Sequence, residues 1–219
     1  MRILSVNVGL PRDVSWRGKT VRTGIFKQAV SGAVRVERVH LEGDGQADLE
    51  VHGGVDKAVY AYPSAHYAHW SEWLGEAELA WGAFGENLTL EGALEDEVNL
   101  GDRFRAGTAL LEVTQPRIPC HKLGLRHGRP DLPKAFLQSG RSGFYLRVLE
   151  PGRVEAGDAF ARETIGRPKV SIAQLQSFAR GEGDADLARR AIEHPALADA
   201  WRDHLVRRFG SAAQHRADD

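Results

Sequence analysis

Apolar and polar residues alternate with a period of two through most of the first 165 positions, and this alternation predicts strands. Ile3 to Val8 begins as a strand and runs into the turn Gly9-Leu10-Pro11-Arg12-Asp13. Ala33 to Leu41 alternates through Val34 and Val36, then slips by one residue to Val39 and Leu41. The slip predicts a β-bulge near Glu37-Arg38, and a bulge bends its strand, which suits a closed or strongly curled sheet. Ala109 to Gln115 places Ala109, Leu111 and Val113 on one side and Glu112 and Thr114 on the other, a half-buried strand that Pro116 must stop. Gly143 to Glu150 reads as a strand ended by Pro151-Gly152. The motif V-x-x-G-D-x-F occurs at Val98 to Phe104 and again at Val154 to Phe160, a tight turn feeding a strand, used twice.

Helical spacing is rarer in this part of the chain. Ser64 to Leu74 reads as a helix ended by Gly75, and Asp131 can cap a short one through Gln138, closed by Gly140. After Gly166-Arg167-Pro168 the period changes. Ile172, Leu175 and Phe178, then Leu187, Ala191 and Ile192, then Leu197, Trp201 and Leu205 predict three short amphipathic helices. The fold class expected is mainly β with α. A β-barrel-like domain over 1–165 is followed by a small three-helix domain over 166–219, whose apolar faces pack on the β part, form a homodimer contact, or dock a partner.

Composition narrows the function class. The 219 residues carry a formal net charge of -1 and are 42% hydrophobic and 27% charged, ordinary values for a globular chain. Near-zero net charge leaves no footprint for nucleic acid. No run approaches the roughly 20 apolar residues of a membrane span, and the first residues are too short and polar for a signal peptide, so the expected location is the cytoplasm.

Cys120 is the only cysteine, which excludes an internal disulfide and any zinc site built from several thiolates. It follows Gln115-Pro116-Arg117-Ile118-Pro119, where two prolines hold the backbone extended past a strand end. Arg117, His121 and Lys122 favour the thiolate, the form that binds soft metals or attacks electrophiles; a small buried hydrophobe is the plain alternative. Arg17, Lys19, Arg22 and Lys27 form a cationic stretch that suits either an anion or a solvated sheet edge. The densest polar stretch runs from Leu41 to Pro63. It holds Asp44, Asp48, His52, Gly53, Gly54, Asp56 and Lys57. Asp44 and Asp56 suit turns, whereas His52 beside two glycines is a candidate proton-transfer group. Asn87 either bonds a ligand or completes a turn.

Taken together, Thr23-Gly24-Ile25-Phe26-Lys27, His52-Gly53-Gly54-Val55-Asp56-Lys57-Ala58-Val59, Phe84-Gly85-Glu86-Asn87-Leu88, Gly101-Asp102 and Gln115-Pro116-Arg117-Ile118-Pro119-Cys120 closely resemble the MOSC family, named for the C-terminal domain of molybdenum cofactor sulfurase. Within it the chain resembles the bacterial YiiM-like branch, which also carries three helices after its β-rich domain. The resemblance implies a barrel-like fold that binds the molybdenum-pterin cofactor with Cys120 ligating the metal. It also implies reduction of N-hydroxylated compounds such as hydroxylaminopurine bases, with electrons from a separate flavoprotein. On that reading Cys120, His52 and Asp48 are catalytic, and Arg22, Lys27, Gly53, Gly54, Lys57, Asn87 and Arg117 hold the cofactor. The rival readings are a cofactor carrier without turnover of its own, and a metal-free thiol hydrolase pairing Cys120 with His52.

Overall fold

The computed structural model describes residues 1–47 and 53–214. Its centre is an eight-stranded mixed sheet. The strands are β1 (Arg2–Val8), β4 (Gln28–Val30), β6 (Val59–Pro63), β7 (Leu88–Glu91), β8 (Arg103–Ala106), β9 (Ala109–Pro116), β10 (Phe144–Glu150) and β12 (Phe160–Thr164), in the order β12-β8-β9-β10-β6-β7-β1-β4. Only β6 and β7 run parallel, joined by a crossover through helix α1 (Tyr67–Leu74). Two antiparallel pairs stand apart: the hairpin of β2 (Arg12–Trp16) with β3 (Lys19–Thr23), and β5 (Val34–Val36) with the sequence-distant β11 (Gly152–Val154).

The sheet curls without closing as a continuous ladder. Its two sides meet at one bridge, Arg2 with Ala159, where the Ile3 N–H donates to the Asp158 carbonyl at 2.9 Å and the Phe160 N–H to the Met1 carbonyl at 3.0 Å. The repeated V-x-x-G-D-x-F motif builds part of this curl. Asp102 accepts the Asn99 N–H at 3.0 Å and Asp158 accepts the Glu155 N–H at 2.8 Å, so each copy makes the same aspartate-closed turn. The strands that follow, β8 and β12, pair with each other, and their Phe104 and Phe160 rings stack at 4.3 Å.

Two apolar regions lie on opposite faces of the central strands. Along β6, Val59 and Ala61 point into the main core inside the curl, and Tyr60 and Tyr62 point into an aromatic cluster with Trp70, Phe84 and Phe136. Both faces of β6 are therefore buried. Strand β9 is buried on both faces too, so the half-buried expectation fails: Glu112 and Thr114, on the polar side, are covered as well. The Glu112 carboxylate accepts Arg103 Nε at 2.8 Å, and the Thr114 hydroxyl donates to the Asp56 carbonyl at 2.7 Å.

Other local expectations are corrected. No bulge forms at Glu37-Arg38; the chain reverses there, with the Glu37 N–H on the His40 carbonyl at 2.9 Å and Val36 bridging Leu41. The reversal leaves Val39 exposed and Leu41 buried, which mimics a one-residue slip. The stretch after Cys120 contains helix α2 (His121–His127), which periodicity did not announce because Gly124 interrupts it. A Cβ on Gly124 would lie 2.7 Å from the Arg129 carbonyl oxygen, so that glycine permits close packing. Helix α3 (Leu132–Ser139) forms as expected, but Asp131 does not cap it; its carboxylate takes Arg129 instead, at 2.9 Å.

The three C-terminal helices are α4 (Ile172–Arg180), α5 (Ala185–Glu193) and α6 (Asp199–Gln214). Ser171 and Gln174 form a capping box on α4, and Asp184 caps α5 through the Leu187 N–H. Ile172, Leu175, Phe178, Leu187, Leu197 and Leu205 join the core inside the curl rather than enclosing a second one. Among the described residues no helix is long and apolar enough to cross a membrane.

Candidate functional site

A cleft opens where the aromatic cluster ends, on the outer face of β6 and β10. The β3–β4 connection supplies Gly24, Ile25 and Lys27, the turn after Leu41 supplies Asp44 to Ala47, and the chain past β9 supplies Arg117, Ile118, Cys120 and Lys122. Tyr60 of β6 and Tyr145 of β10 form its floor, and Lys57 lies on its border. The first two stretches touch, since a Cβ on Gly24 would sit 2.7 Å from the Gly45 carbonyl oxygen. Backbone approach of that closeness leaves room only for glycine.

Lys27 is buried, and its ammonium pairs with the buried Asp44 carboxylate. Asp44 also accepts the Gly9 N–H at 3.0 Å and Asn87 Nδ2 at 2.7 Å. Burial pulls the Lys27 ammonium below the usual lysine range, and Asp44 acts against that pull. Asn87 has no capacity left for a ligand. Its amide donates to Asp44 and to the Asn7 carbonyl, and its oxygen accepts the Tyr60 N–H at 3.0 Å. The neighbouring Glu86, fully buried, accepts the Gly82 and Phe84 N–H groups and the Tyr67 and Thr89 hydroxyls, which fixes the loop carrying Phe84 and Gly85 into the cleft wall. Burial raises its carboxyl above the usual range.

Arg117 differs from these satisfied groups. It is 6% exposed, its guanidinium carbon lies 5.0 Å from the Tyr60 ring and 5.3 Å from the Phe136 ring, and its Nη1 has no hydrogen-bond partner. Burial opposes its charge, but the Tyr60 and Tyr145 phenols and the Cys120 thiol outweigh burial and keep it cationic. Cys120 is half-buried at the start of α2, in extended backbone, and its side chain makes no capping bond. Tyr60 spends its hydroxyl on the Ser142 carbonyl at 2.7 Å, while the Tyr145 ring packs 5.1 Å from that of Tyr60.

The structure therefore brings Cys120, Lys27, Lys57, Asn87 and Arg117 to one cleft. Arg22 is elsewhere, exposed on the β2–β3 pair and bonded to Asp13 at 3.3 Å. Of the cationic stretch only Lys27 turns inward, and the rest is a solvated edge. Gly53 and Gly54 do not line the cleft; the Gly54 N–H is bonded to the Gln46 side chain at 2.8 Å. Asp48 and His52 lie outside the described residues. Asp44, Tyr60 and Tyr145 were not foreseen. Asp44 resembled a turn residue, and both tyrosines sit in strand patterns, where an aromatic is ordinary.

Among the described residues no three His, Cys, Asp or Glu side chains cluster as a metal cage. A thiolate suits a metal held by a pterin dithiolene, which carries sulfur ligands of its own, and the cations along the cleft suit the phosphate of such a cofactor.

Comparison with known proteins agrees with this architecture. The family profile of the MOSC domain matches residues 48–161. The uncharacterized protein YflK of Bacillus subtilis is 40% identical over 208 residues, covering 94% of this chain and 93% of its own. The crystal structure of YiiM from Geobacillus stearothermophilus superposes with a TM-score of 0.80 at 40% identity, covering 95% of this chain and 98% of that one. A longer protein of Gibberella moniliformis, named a reductase, is 35% identical over 199 residues; the match covers 89% of this chain and 35% of that protein. On the profile match and the full-length likeness to YflK, the chain belongs to the MOSC family.

Proposed function

We propose that this protein is a molybdenum-cofactor oxidoreductase that reduces N-hydroxylated compounds, such as hydroxylaminopurine bases, to the amine. The observation that carries the reading is a lone thiol at the wall of a cleft lined by cations, with no other metal-ligand cluster among the described residues. The relative named a reductase supports an oxidoreductase over a carrier. When bound, the cofactor would supply two-electron redox chemistry at the metal, which amino-acid side chains lack. Cys120 would hold the metal, and Lys57 and Lys122 would face the phosphate. The Lys27–Asp44 pair holds the β3–β4 wall in place and, through Asn87, fixes the backbone at Tyr60. Electrons would come from a separate flavoprotein.

Cys120→Ser tests the reading. The thiol is half-buried and caps nothing, so stability should change by no more than about 0.5 kcal/mol, as for an ordinary surface substitution. Molybdenum per chain, measured by mass spectrometry on protein from a molybdenum-replete host, should fall to background, and reduction of an aromatic hydroxylamine should stop. A variant that keeps both its metal and its turnover refutes the assignment.

A further inference from the structure

Arg117 is a buried cation with no carboxylate against it, and one of its donors bonds to nothing. The groups around it are otherwise committed: Lys27 to Asp44, Tyr60 to the Ser142 carbonyl, Asn87 to three backbone and side-chain partners. Tyr145 lines the same cleft as the thiol, and its hydroxyl oxygen accepts from the Arg117 side chain, which leaves the hydroxyl proton to donate. Cys120, Arg117 and Tyr145 thus line one cleft, with the guanidinium and the phenol bonded to each other and Nη1 of the guanidinium left without a partner. Unpaired donors preset in a low-dielectric wall are costly to keep unless a ligand completes them.

We infer that Arg117 and Tyr145 form an oxygen clamp that receives the hydroxyl oxygen of the substrate's N–OH group and stabilises it as it leaves. The inference rests on the reductase reading above and assigns Arg117 to the substrate rather than to the cofactor phosphate. In the overall reaction the N–O bond breaks; two electrons from a reduced flavoprotein and two protons convert R–NHOH to R–NH2 and water. Negative charge accumulates on the departing oxygen, and that is the charge two fixed donors stabilise best. The clamp also sets specificity. A site whose buried donors bond an oxygen discriminates strongly against a ligand without one, because the donors are then left unpaired.

The test uses the cofactor-loaded protein and two variants, Tyr145→Phe and Arg117→Gln, with Arg117→Lys as a charge-retaining control should the glutamine variant fail to fold. Three quantities are read: molybdenum and pterin per chain, kcat/KM for an aromatic hydroxylamine, and the inhibition constant of the corresponding amine. The expected result is full cofactor content, kcat/KM lower by about 10²–10³-fold in Arg117→Gln and by at least about tenfold in Tyr145→Phe, and amine inhibition unchanged. Loss of molybdenum from Arg117→Gln would return that residue to the cofactor and overturn the clamp. Full cofactor with full turnover in both variants would overturn it as well. If the wild-type protein, loaded and supplied with electrons, reduces no hydroxylamine, the reductase reading itself fails, and the clamp with it.

Discussion

Lys27→Met removes one half of a buried ion pair and leaves the other half in place. Both side chains are nearly inaccessible, at 8% for Lys27 and 5% for Asp44. Removing one partner of such a pair costs about 3–5 kcal/mol, because the survivor is an uncompensated buried charge. Asp44 retains the Gly9 N–H and Asn87 Nδ2, and it borders the cleft, so the lower end applies: about 3 kcal/mol. For a chain of 219 residues this corresponds to a thermal midpoint lower by about 6–12 °C. The double variant Lys27→Met/Asp44→Asn deletes both charges and should recover most of the loss, since replacing both halves of a buried pair is often near neutral. Urea unfolding of wild type, both single variants and the double variant yields the coupling directly. A single-variant loss under about 1 kcal/mol, or additive effects across the four proteins, would show that Asp44 is solvated through the cleft and that the pair does not organise this wall.

Two further outcomes follow from the same reasoning. The twin turns separate backbone strain from packing: Gly101 (φ 75°) and Gly157 (φ 99°) both have positive φ, but a Cβ would lie 2.4 Å from His194 Cε1 at Gly101 and would meet nothing within 4 Å at Gly157. Gly157→Ala should cost about 1–2 kcal/mol and Gly101→Ala clearly more, about 2–4 kcal/mol, in urea unfolding; equal losses would mean that the His194 contact carries no weight. Burial holds the His127 and His194 imidazoles below the ordinary value of 6.5, so the unfolded chain takes up protons there that the folded chain refuses. Stability is then complete above about pH 6.5 and falls as the pH drops below it, by up to about 1.4 kcal/mol per pH unit for each group; a midpoint flat between pH 7 and 5, or a slope unaffected by His127→Gln, would contradict this.

Legibility in the chain depended on whether a feature was local. The three C-terminal helices were readable because each buries one stripe, with Ile172, Leu175 and Phe178 at helical spacing, and because Gly181 and Asp184 mark the boundary between α4 and α5 within a few residues. The twin V-x-x-G-D-x-F turns were readable for the same reason: each aspartate closes its own turn three residues away. Strand β9 was misjudged at Glu112 and Thr114 because its polar face is covered by groups distant in sequence. Arg103 and Arg147 meet Glu112, and the Asp56 carbonyl meets Thr114. Alternation records which side chains differ in polarity, not which are dry.

The cleft shows that limit most sharply. Cys120 announced itself by residue type and by its prolines, but its surroundings come from six separate stretches that only the curl of the sheet brings together. Asp44 was the residue most misread. In a Gly-Asp-Gly turn it has an adequate local reason to exist, and nothing nearby signals that Lys27, 17 positions earlier, and Asn87, 43 positions later, both converge on its carboxylate. Lys27 and Asn87 looked like free ligand groups for the mirror-image reason: their partner was out of view. Once these three satisfy one another, the polar groups left over are fewer and more telling. Arg117, bonded to Tyr145 but with Nη1 unmet, is what remains in the thiol's cleft, and the chemistry of this cleft is best sought at that unmet donor rather than in the most polar stretch.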